Sequence, residues 1–582
     1  MSNERRIPTA QPSGLNTAAV LIEGQELNRE FKLLLIEIVR VFNRIAYARL
    51  EYHDGSAADQ DFKLSNKDEF KPGKAIEILS GYHSENESIF KGVIISHSVR
   101  VKGGKGSHLV IEAYDKAVKL AAARKSAYYY NVKDSEIIEQ LAGDAGLEKD
   151  VEGTEVTHEE TALYHSSPWD FIVMRAEANG QLVLTHDNKL VVKKPDTSGE
   201  PVLQLEFGAT LHEFEAEIDA QTQFAAVKSK AWNYTDQEVL ESEGEDAAVT
   251  GGGDITSEDL AGVLGIEELP LRHTGKFTEG ELKSWTTSQI TRNKLSRIRG
   301  RARFQGFAGV KPGDMIELKG VGNRFNGKAF VTGVRHQIST ATWTTDVQFG
   351  FSRDWFSRLP DITAPKAAGL LPGVNGLQIG VVTKLEADPQ GEDRIQVKMP
   401  MIDNDAEGMW ARVSTLDAGK ERGSFFRPEI GDEVLLGFLN DDPRHPVVLG
   451  MMNSKKLPAP LPAADDNHIK GFVTRSKIKL LFDDDKKIFT VVTPGEQTVV
   501  IDDDAGKVTI KDKNSNSMIM SDSGIAIESG KDITIKATGD IKMEAVNIEA
   551  KASAQLKAEG SAGAEVKSGG NTVVKGSMVQ IN

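Results

Sequence analysis

The segment GIAIESGKDITIKATGDIKMEAVNIEAKASAQLKAEG (524–560) advances in blocks of eight residues. Apolar residues enter it as alternating pairs: Ile525 and Ile527, Ile533 and Ile535, Ile541 and Met543. The next pair arrives one residue early, at Ile548, and the period of eight then resumes. Ile548, Leu556, Ala564 and Thr572 fall in one phase, and Ala550, Ala558, Val566 and Val574 in a second. Lys551, Glu559, Lys567 and Lys575 occupy the outward phase. This pattern predicts short strands of about five residues joined by tight corners, with alternate side chains turned inward. The inward residues shrink from Ile towards Ala before Val returns, so the object narrows.

One such ribbon cannot shelter its own isoleucines. A floppy low-complexity tail would need no inward and outward alternation. A single-chain solenoid with three octads per coil would have little more than about two coils, short of the roughly three repeats that stacked units need. Three identical chains wound about one axis pair every strand edge and bring the apolar pairs together. The pattern therefore favours an intertwined trimeric β-helix, a triangular β-prism. About 13 strands per chain at ~4.8 Å spacing give a stiff rod of roughly 60 Å. Its last layer carries Met578, Val579 and Ile581. A flat sheet end left bare is an aggregation hazard, so a separate cap protein is expected there.

At 582 residues the chain exceeds one hydrophobic core and divides into domains. A net charge of −16 argues against nucleic acid and anionic lipid as partners. The absence of cysteine excludes disulfides and thiolate chemistry. MSNERRIPTAQPSG lacks the apolar core of a secretory signal, and FKLLLIEIVRVF is broken by Lys32, Glu37 and Arg40. The chain is expected to be made in the cytoplasm without a signal peptide.

Before the tail the texture changes twice. AAVLIEGQEL, KAIEILSGY and IFKGVIISHSVRV alternate as strands. DSEIIEQLAGDAGL is helical with Asp134 as its N-cap, and SPWDFIVMRAEANG is a second helix ending in glycine. The acidic, glycine-rich stretch 241–262 reads as a flexible loop. From Gly376 to Gly450 about five strands follow one another with turn residues between them, which suits a small closed barrel such as an OB-fold. The stretch 453–468 is a Pro/Ala linker.

The residues of this barrel resemble a known family. GVVTKLEADPQGEDRIQVKMP, MWARVSTLDAGKERGSFFRPEIGDEVLLGF and DPRHPVVLGMM are similar to the OB-fold of VgrG, the type VI secretion spike, and of phage tail spike proteins. TRSKIKLLFDDD and IESGKDITIKATGDI resemble the start and body of the family's β-helical needle. ARLEYHDGSAADQDFKLSNKDEFKPGKAIEI, SPWDFIVMRAEANG and RIRGRARFQGFAGVKPGDMIELKGVGNRFNGKAFVTGVRH resemble its hub. The resemblance implies a mainly β protein with a minor α component. Its expected domains are a phage hub-like domain of β-barrels plus helices (1–365), an OB-fold (372–452) and a trimeric β-helical needle (469–582). It further implies a homotrimer bearing a PAAR-type tip protein, with inner tube and baseplate proteins at the hub and effectors carried along. Such a spike is driven through a target envelope by sheath contraction as part of a phage tail-like particle and touches the target membrane only transiently. A lysozyme domain between OB-fold and needle, or a toxin domain after the needle, would bring enzymatic activity. Here the 453–468 linker takes the first place and the sequence given ends at Asn582, so no enzyme is expected.

Sites for chemistry are sparse. Asp483–Asp485 and Asp502–Asp504 lie between strands, where solvated turns belong; a cation site is the sharper alternative. Arg297, Arg299, Arg301 and Arg303 alternate and are expected to share one strand face, either ion-paired or docking on an acidic tube or baseplate subunit. Trp410, Phe425 and Phe426 suit barrel packing better than stacking on bases or sugars. GVGNRFNG and GGKGSH lack phosphate-loop spacing, and His158 and His165 lack a ligand pattern. No cofactor or metal is expected. The reading is a non-enzymatic central spike that joins tube to tip and transmits force. A carbohydrate-active β-helix enzyme with an OB-type binding module is the alternative, and a pure carrier whose tip protein holds the activity is a third.

Overall fold

The computed structural model describes residues 16–103, 106–245 and 248–581. Expectations placed on the amino-terminal arginines, on 104–105 within GGKGSH, on 246–247 and on Asn582 lie outside those residues. The chain is mostly β, with few helices. It divides into two compact units: Met1–Gly376 with Phe438–Pro446, and Leu377–Gly437 with Val447–Asn582.

In the first unit, alternation decides the layers. LLLIEIVRV (Leu33–Val41) turns Ile36 and Ile38 into the core and sets Glu37 on the other face, half-buried and paired with Arg335. Eight strands form one antiparallel path. In order they are Leu211–Ile218, Ile298–Gln305, Trp343–Phe349, Gly327–Ser339, Leu33–Val41, Tyr47–His53, Gly106–Tyr114 and Glu85–Lys102. Ala75–Tyr82 and then Asn16–Ile22 continue from the last of these. Two cores lie along the path. One gathers Ile36, Ile38, Leu50, Phe90 and Leu109, the other Leu205, Phe304, Ile316, Val331 and Phe349. The two halves meet where Gly327–Ser339 pairs with Leu33–Val41, from Gly333 opposite Val41 to Ser339 opposite Leu35.

Both helices read from the sequence are present, Asp134–Asp144 and Pro168–Ala178. Ser167 caps the second, accepting from the Asp170 amide at 3.0 Å. Asp134 is not the N-cap expected; Lys133 is, and Asp134 is the first helical residue. Its carboxylate is claimed elsewhere: it accepts from Arg175 at 2.6 and 2.8 Å, from Asn179 at 2.8 Å and from His158 Nε2 at 3.1 Å. His158 Nδ1 lies 3.3 Å from Glu281, on the long helix Glu279–Ser296. Hydrogen bonds to Asp134 and then Glu281 push the imidazole up to about 9. Burial opposes ionisation of Asp134, yet the bonds from His158 and Arg175 hold it well below the usual carboxylate range. The cluster thus ties four segments together with charges that satisfy one another.

Within the stretch 241–262, the described residues from 248 onward are more ordered than the composition implies. Thr256 caps a short helix, Ser257–Ala261, and the Gly252 and Gly253 amides donate to the carbonyls of Lys328 and Asn326 at 2.7 and 2.8 Å. A Cβ at Gly252 would stand 2.7 Å from the Asn326 carbonyl oxygen, so the glycine is there to allow backbone to approach backbone.

In the second unit, Gln378–Lys384, Ile395–Lys398, Met409–Val413, Pro446–Met451 and Glu433–Phe438 close a barrel in that order. Val382, Ile395, Val397, Ala411, Val434, Leu436 and Val448 fill it. Residues 453–468 hold neither helix nor strand.

Candidate functional site

The carboxy-terminal sheet is a meander of seven strands: Ile469–Val473, Lys479–Asp483, Ile488–Val492, Thr498–Asp502, Lys507–Lys511, Ser517–Ser521 and Gly524–Glu528. Each is antiparallel to the next. The turns explain the acidic runs. Asp483 accepts from the Lys486 amide at 3.0 Å and Asp502 from the Ala505 amide at 2.9 Å, while Lys487 pairs with Asp504 at 2.8 Å. These carboxylates spend themselves closing turns. Among the described residues no cluster of three or more His, Asp and Glu could hold a metal ion.

The registers align apolar side chains in two rows across one face. The first runs Phe472, Leu480, Val491, Val499, Ile510, Met518, Ile527; the second runs Phe482, Phe489, Ile501, Val508, Met520, Ile525. Residues two apart on a strand share a face, so the rows lie side by side. A groove of about 510 Å³ runs over this face, lined by Val491, Val499, Ile510, Met518, Ile527 and Ile533. Among the described residues nothing covers it: Phe482 is 42% exposed, Ile510 45% and Ile525 66%. Two continuous apolar rows left half in water are a surface built to be covered.

Of the residues singled out from the sequence, Ile525 and Ile527 end these rows. The ladders stop at Glu528, and no described residue from 529 onward is in a strand. The expectation that each octad is a strand is one for three chains together, and one chain alone forms no ladder there. Ile533, Ile535, Ile541, Met543, Ile548, Leu556, Val566, Val574, Met578, Val579 and Ile581 are all at least half exposed. The physical reason is pairing: a five-residue strand needs a neighbouring edge, and one chain presents none to these octads. Sequence reasoning missed the earlier members of the rows, from Phe472 to Met520. Their signal was present in KLLFD, IFTVV and TVVID, which alternate as the octads do but without a fixed period.

Two aromatic expectations are corrected. Phe425 and Phe426 do not pack in the barrel; they are 84% and 57% exposed. They sit on the long loop after Met409–Val413, outside the closed barrel. Phe426 instead stacks on Phe472, the first member of the apolar row, and Arg475 pairs with Glu429 at 2.9 Å. Trp410 is half-buried on the barrel wall.

Three of the four arginines, Arg299, Arg301 and Arg303, share one face of the strand Ile298–Gln305 and are ion-paired there. Arg297 precedes the strand Ile298–Gln305, and its guanidinium donates to the carbonyls of Gly252 and Ile255. Arg299 pairs with Glu217 and Asp219 at 2.9 and 3.0 Å. Arg301 reaches Glu213 and Glu215, both at 3.4 Å, and Arg303 pairs with Glu213 at 2.5 Å and Asp346 at 2.9 Å. These arginines brace the neighbouring strand Leu211–Ile218.

Comparison with known proteins places both units. The Alg8 N-terminal domain family matches residues 12–340, more than half of the chain. The type VI secretion system/phage-baseplate injector OB domain matches residues 378–452. The type VI secretion system spike protein VgrG1a of Pseudomonas aeruginosa is 28% identical over 201 residues, 31% of this chain and 31% of the relative. VgrG1b of the same organism is 30% identical over 182 residues, 29% of this chain and 24% of the relative. The match thus spans less than a third of these curated relatives. Among solved structures, a prophage MuSo2 43 kDa tail protein from Shewanella oneidensis aligns with a TM-score of 0.44 at 12% identity, over 58% of this chain and 98% of its own. The chain belongs to the Alg8 N-terminal domain family through residues 12–340, and it carries an injector OB domain and is similar over part of its length to VgrG spike proteins.

Proposed function

We propose that three copies of this chain form the central spike of a contractile injection system, a non-enzymatic part that joins the inner tube to the tip. The observation that supports this most is the pair of uncovered apolar rows from Phe472 to Ile527 and from Phe482 to Ile525. A second and third copy laid on the same face would remove both rows from water, at roughly 25 cal/mol per Å² of apolar area buried. They would also give the octads after Glu528 the strand edges they lack. The needle so formed is stiff, because bending it breaks ladders on three sides at once, and stiffness is what puncturing an envelope requires.

In this reading Met578, Val579 and Ile581 meet a PAAR-like tip protein, and the hub meets inner tube and baseplate proteins. Effectors ride on the assembled particle, which is put together in the bacterial cytoplasm and delivered outside or into a target cell. Light scattering on the purified full chain tests the core of it. The expected mass is about three times 63.4 kDa; a stable, soluble species of one subunit would overturn the reading.

A further inference from the structure

A two-stranded ribbon in the first unit has a bare edge beside a helix. Lys125–Lys133 pairs antiparallel with Thr157–Ser166 and, among the described residues, with no other strand. No backbone group of 125–132 bonds outside that ladder among the described residues. Edge strands are ordinarily blunted by charge, proline, a bulge or a cover. Between its terminal lysines this one reads Ser-Ala-Tyr-Tyr-Tyr-Asn-Val, with neither charge nor proline. The ribbon's register shift lies away from the middle, between Leu163 and Ser166 on the other strand.

The side chains sort onto two faces. Ala127 and Tyr129 share the face of the buried Leu163, and the Tyr129 ring lies 6.4 Å from that of Phe171. Tyr128 and Tyr130 turn the other way and are 77% and 64% exposed, their rings 6.4 Å apart. Along the strand runs a groove of about 430 Å³, bounded across from it by Gln140, Leu141 and Asp144 of the helix Asp134–Asp144. A strand edge on one side and a helix on the other make a seat for a peptide that adds as a strand, with backbone bonds supplying affinity and side chains specificity.

We propose that this groove takes an extended segment of a different protein, which joins Lys125–Lys133 as a third strand. The chemistry of that segment follows from what faces it. Lys125 and Lys133 stand at the two ends of the edge, and among the described residues neither makes an ion pair. Asp144 lines the groove and keeps carboxylates out of it. The segment is therefore apolar or hydroxyl-bearing through its middle and acidic at both ends. A second copy of this strand is the wrong occupant: antiparallel self-pairing about Tyr129 sets Lys125 against Lys133 twice, like charge directly opposite like. The seat is built from the first unit alone and does not rest on the three-copy reading.

The probe is a fluorescein-labelled nonapeptide, Asp-Thr-Val-Thr-Val-Thr-Val-Thr-Asp, titrated against the full-length chain by fluorescence anisotropy. Two further peptides carry N-methyl groups, one on the amides of its valines, the other on those of its threonines. Successive amides of a strand point to opposite edges, so addition to a sheet silences one of these peptides and spares the other. Saturable binding is expected from the parent peptide and from one N-methylated form only. Binding by both forms would mean adsorption through side chains and overturns the proposal. Binding by neither form, or no saturable binding of the parent, overturns it too. The ends are tested by Lys125→Glu/Lys133→Glu, at two positions that are not buried. This variant should bind the parent peptide about tenfold more weakly and prefer the same peptide with lysine at both ends. Unchanged affinity for the parent would overturn the acidic-ended partner.

Discussion

The ring of Phe426 lies nearly parallel to that of Phe472, with centroids 5.1 Å apart and planes 8° from coplanar. One belongs to a loop of the OB barrel and the other to the first strand of the carboxy-terminal meander. The stack therefore fixes how the barrel hands over to the sheet, helped by Arg475 and Glu429 at 2.9 Å. An aromatic pair contributes about 0.5–1.5 kcal/mol beyond its burial, and an exposed ion pair less than about 1 kcal/mol. Phe426→Ala should thus raise the opening of the Ile469–Val473 strand about tenfold, the factor for ~1.4 kcal/mol. Limited proteolysis between 473 and 478 would report it, and cleavage at the native rate would remove the stack from the account.

His158 gives a pH signature. Its imidazole is raised from about 6.5 to about 9 by the hydrogen bonds to Asp134 and Glu281. A group whose folded pKa is raised stabilises fully below its unfolded value and loses that contribution as pH climbs through the folded value. Thermal stability should therefore hold at pH 6 and fall between about pH 6.5 and 9 through this group. His158→Gln should be less stable at pH 6, by about 1.5–3 kcal/mol for a lost bond to a charged group, with a flatter profile across that window. An unchanged slope would assign the titration elsewhere.

How much of this was legible beforehand depended on what each residue answers to. The five OB strands and both helices follow local periodicity, so VVTK, IQVK and DSEIIEQLAGD announced themselves. Asp134 is conspicuous as a capping residue, but its role is set by Arg175 and His158, which arrive from distant segments and leave no local trace. Phe425 and Phe426 look like core because aromatics in small barrels usually are; only the loop's path puts them outside. The rows from Phe472 to Met518 depend on register, which turn lengths set and hydropathy does not display.

Arg292 should be among the costliest residues of the first unit to change. It is paired with Glu177 while both are buried. It donates to the carbonyls of Ser352 and Asp354 at 3.0 and 2.6 Å, and lies between the rings of Phe351 and Trp355 at 4.9 and 5.0 Å. Arg292→Ala leaves Glu177 buried with Asn43 and the Phe356 amide as its remaining partners, each at 2.8–2.9 Å. Removing one partner of a buried pair costs about 3–5 kcal/mol. Denaturant unfolding of the full chain should show that loss in the transition of the first unit. Arg292→Lys should recover little of it, because a point charge cannot serve two carbonyls, a carboxylate and two rings at once.

The sharpest test of the apolar rows uses two adjacent residues. Ile510 and Lys511 follow each other on the strand Lys507–Lys511 and so face opposite sides of the sheet. Ile510 stands in the first row, between Val499 and Met518, whereas Lys511 lies beyond the row at the strand end. If copies cover the row, Ile510→Asp carries one carboxylate per chain into the dry interface, and each buried ion costs several kcal/mol even after relaxation. Since the charges are alike and no cation of the row can pair them, the assembly should fall to single subunits by light scattering. Lys511→Glu also changes charge but keeps it in water, and should leave the mass unchanged. Were Ile510→Asp to hold its full assembled mass, the face from Phe472 to Ile527 would not be where the copies meet.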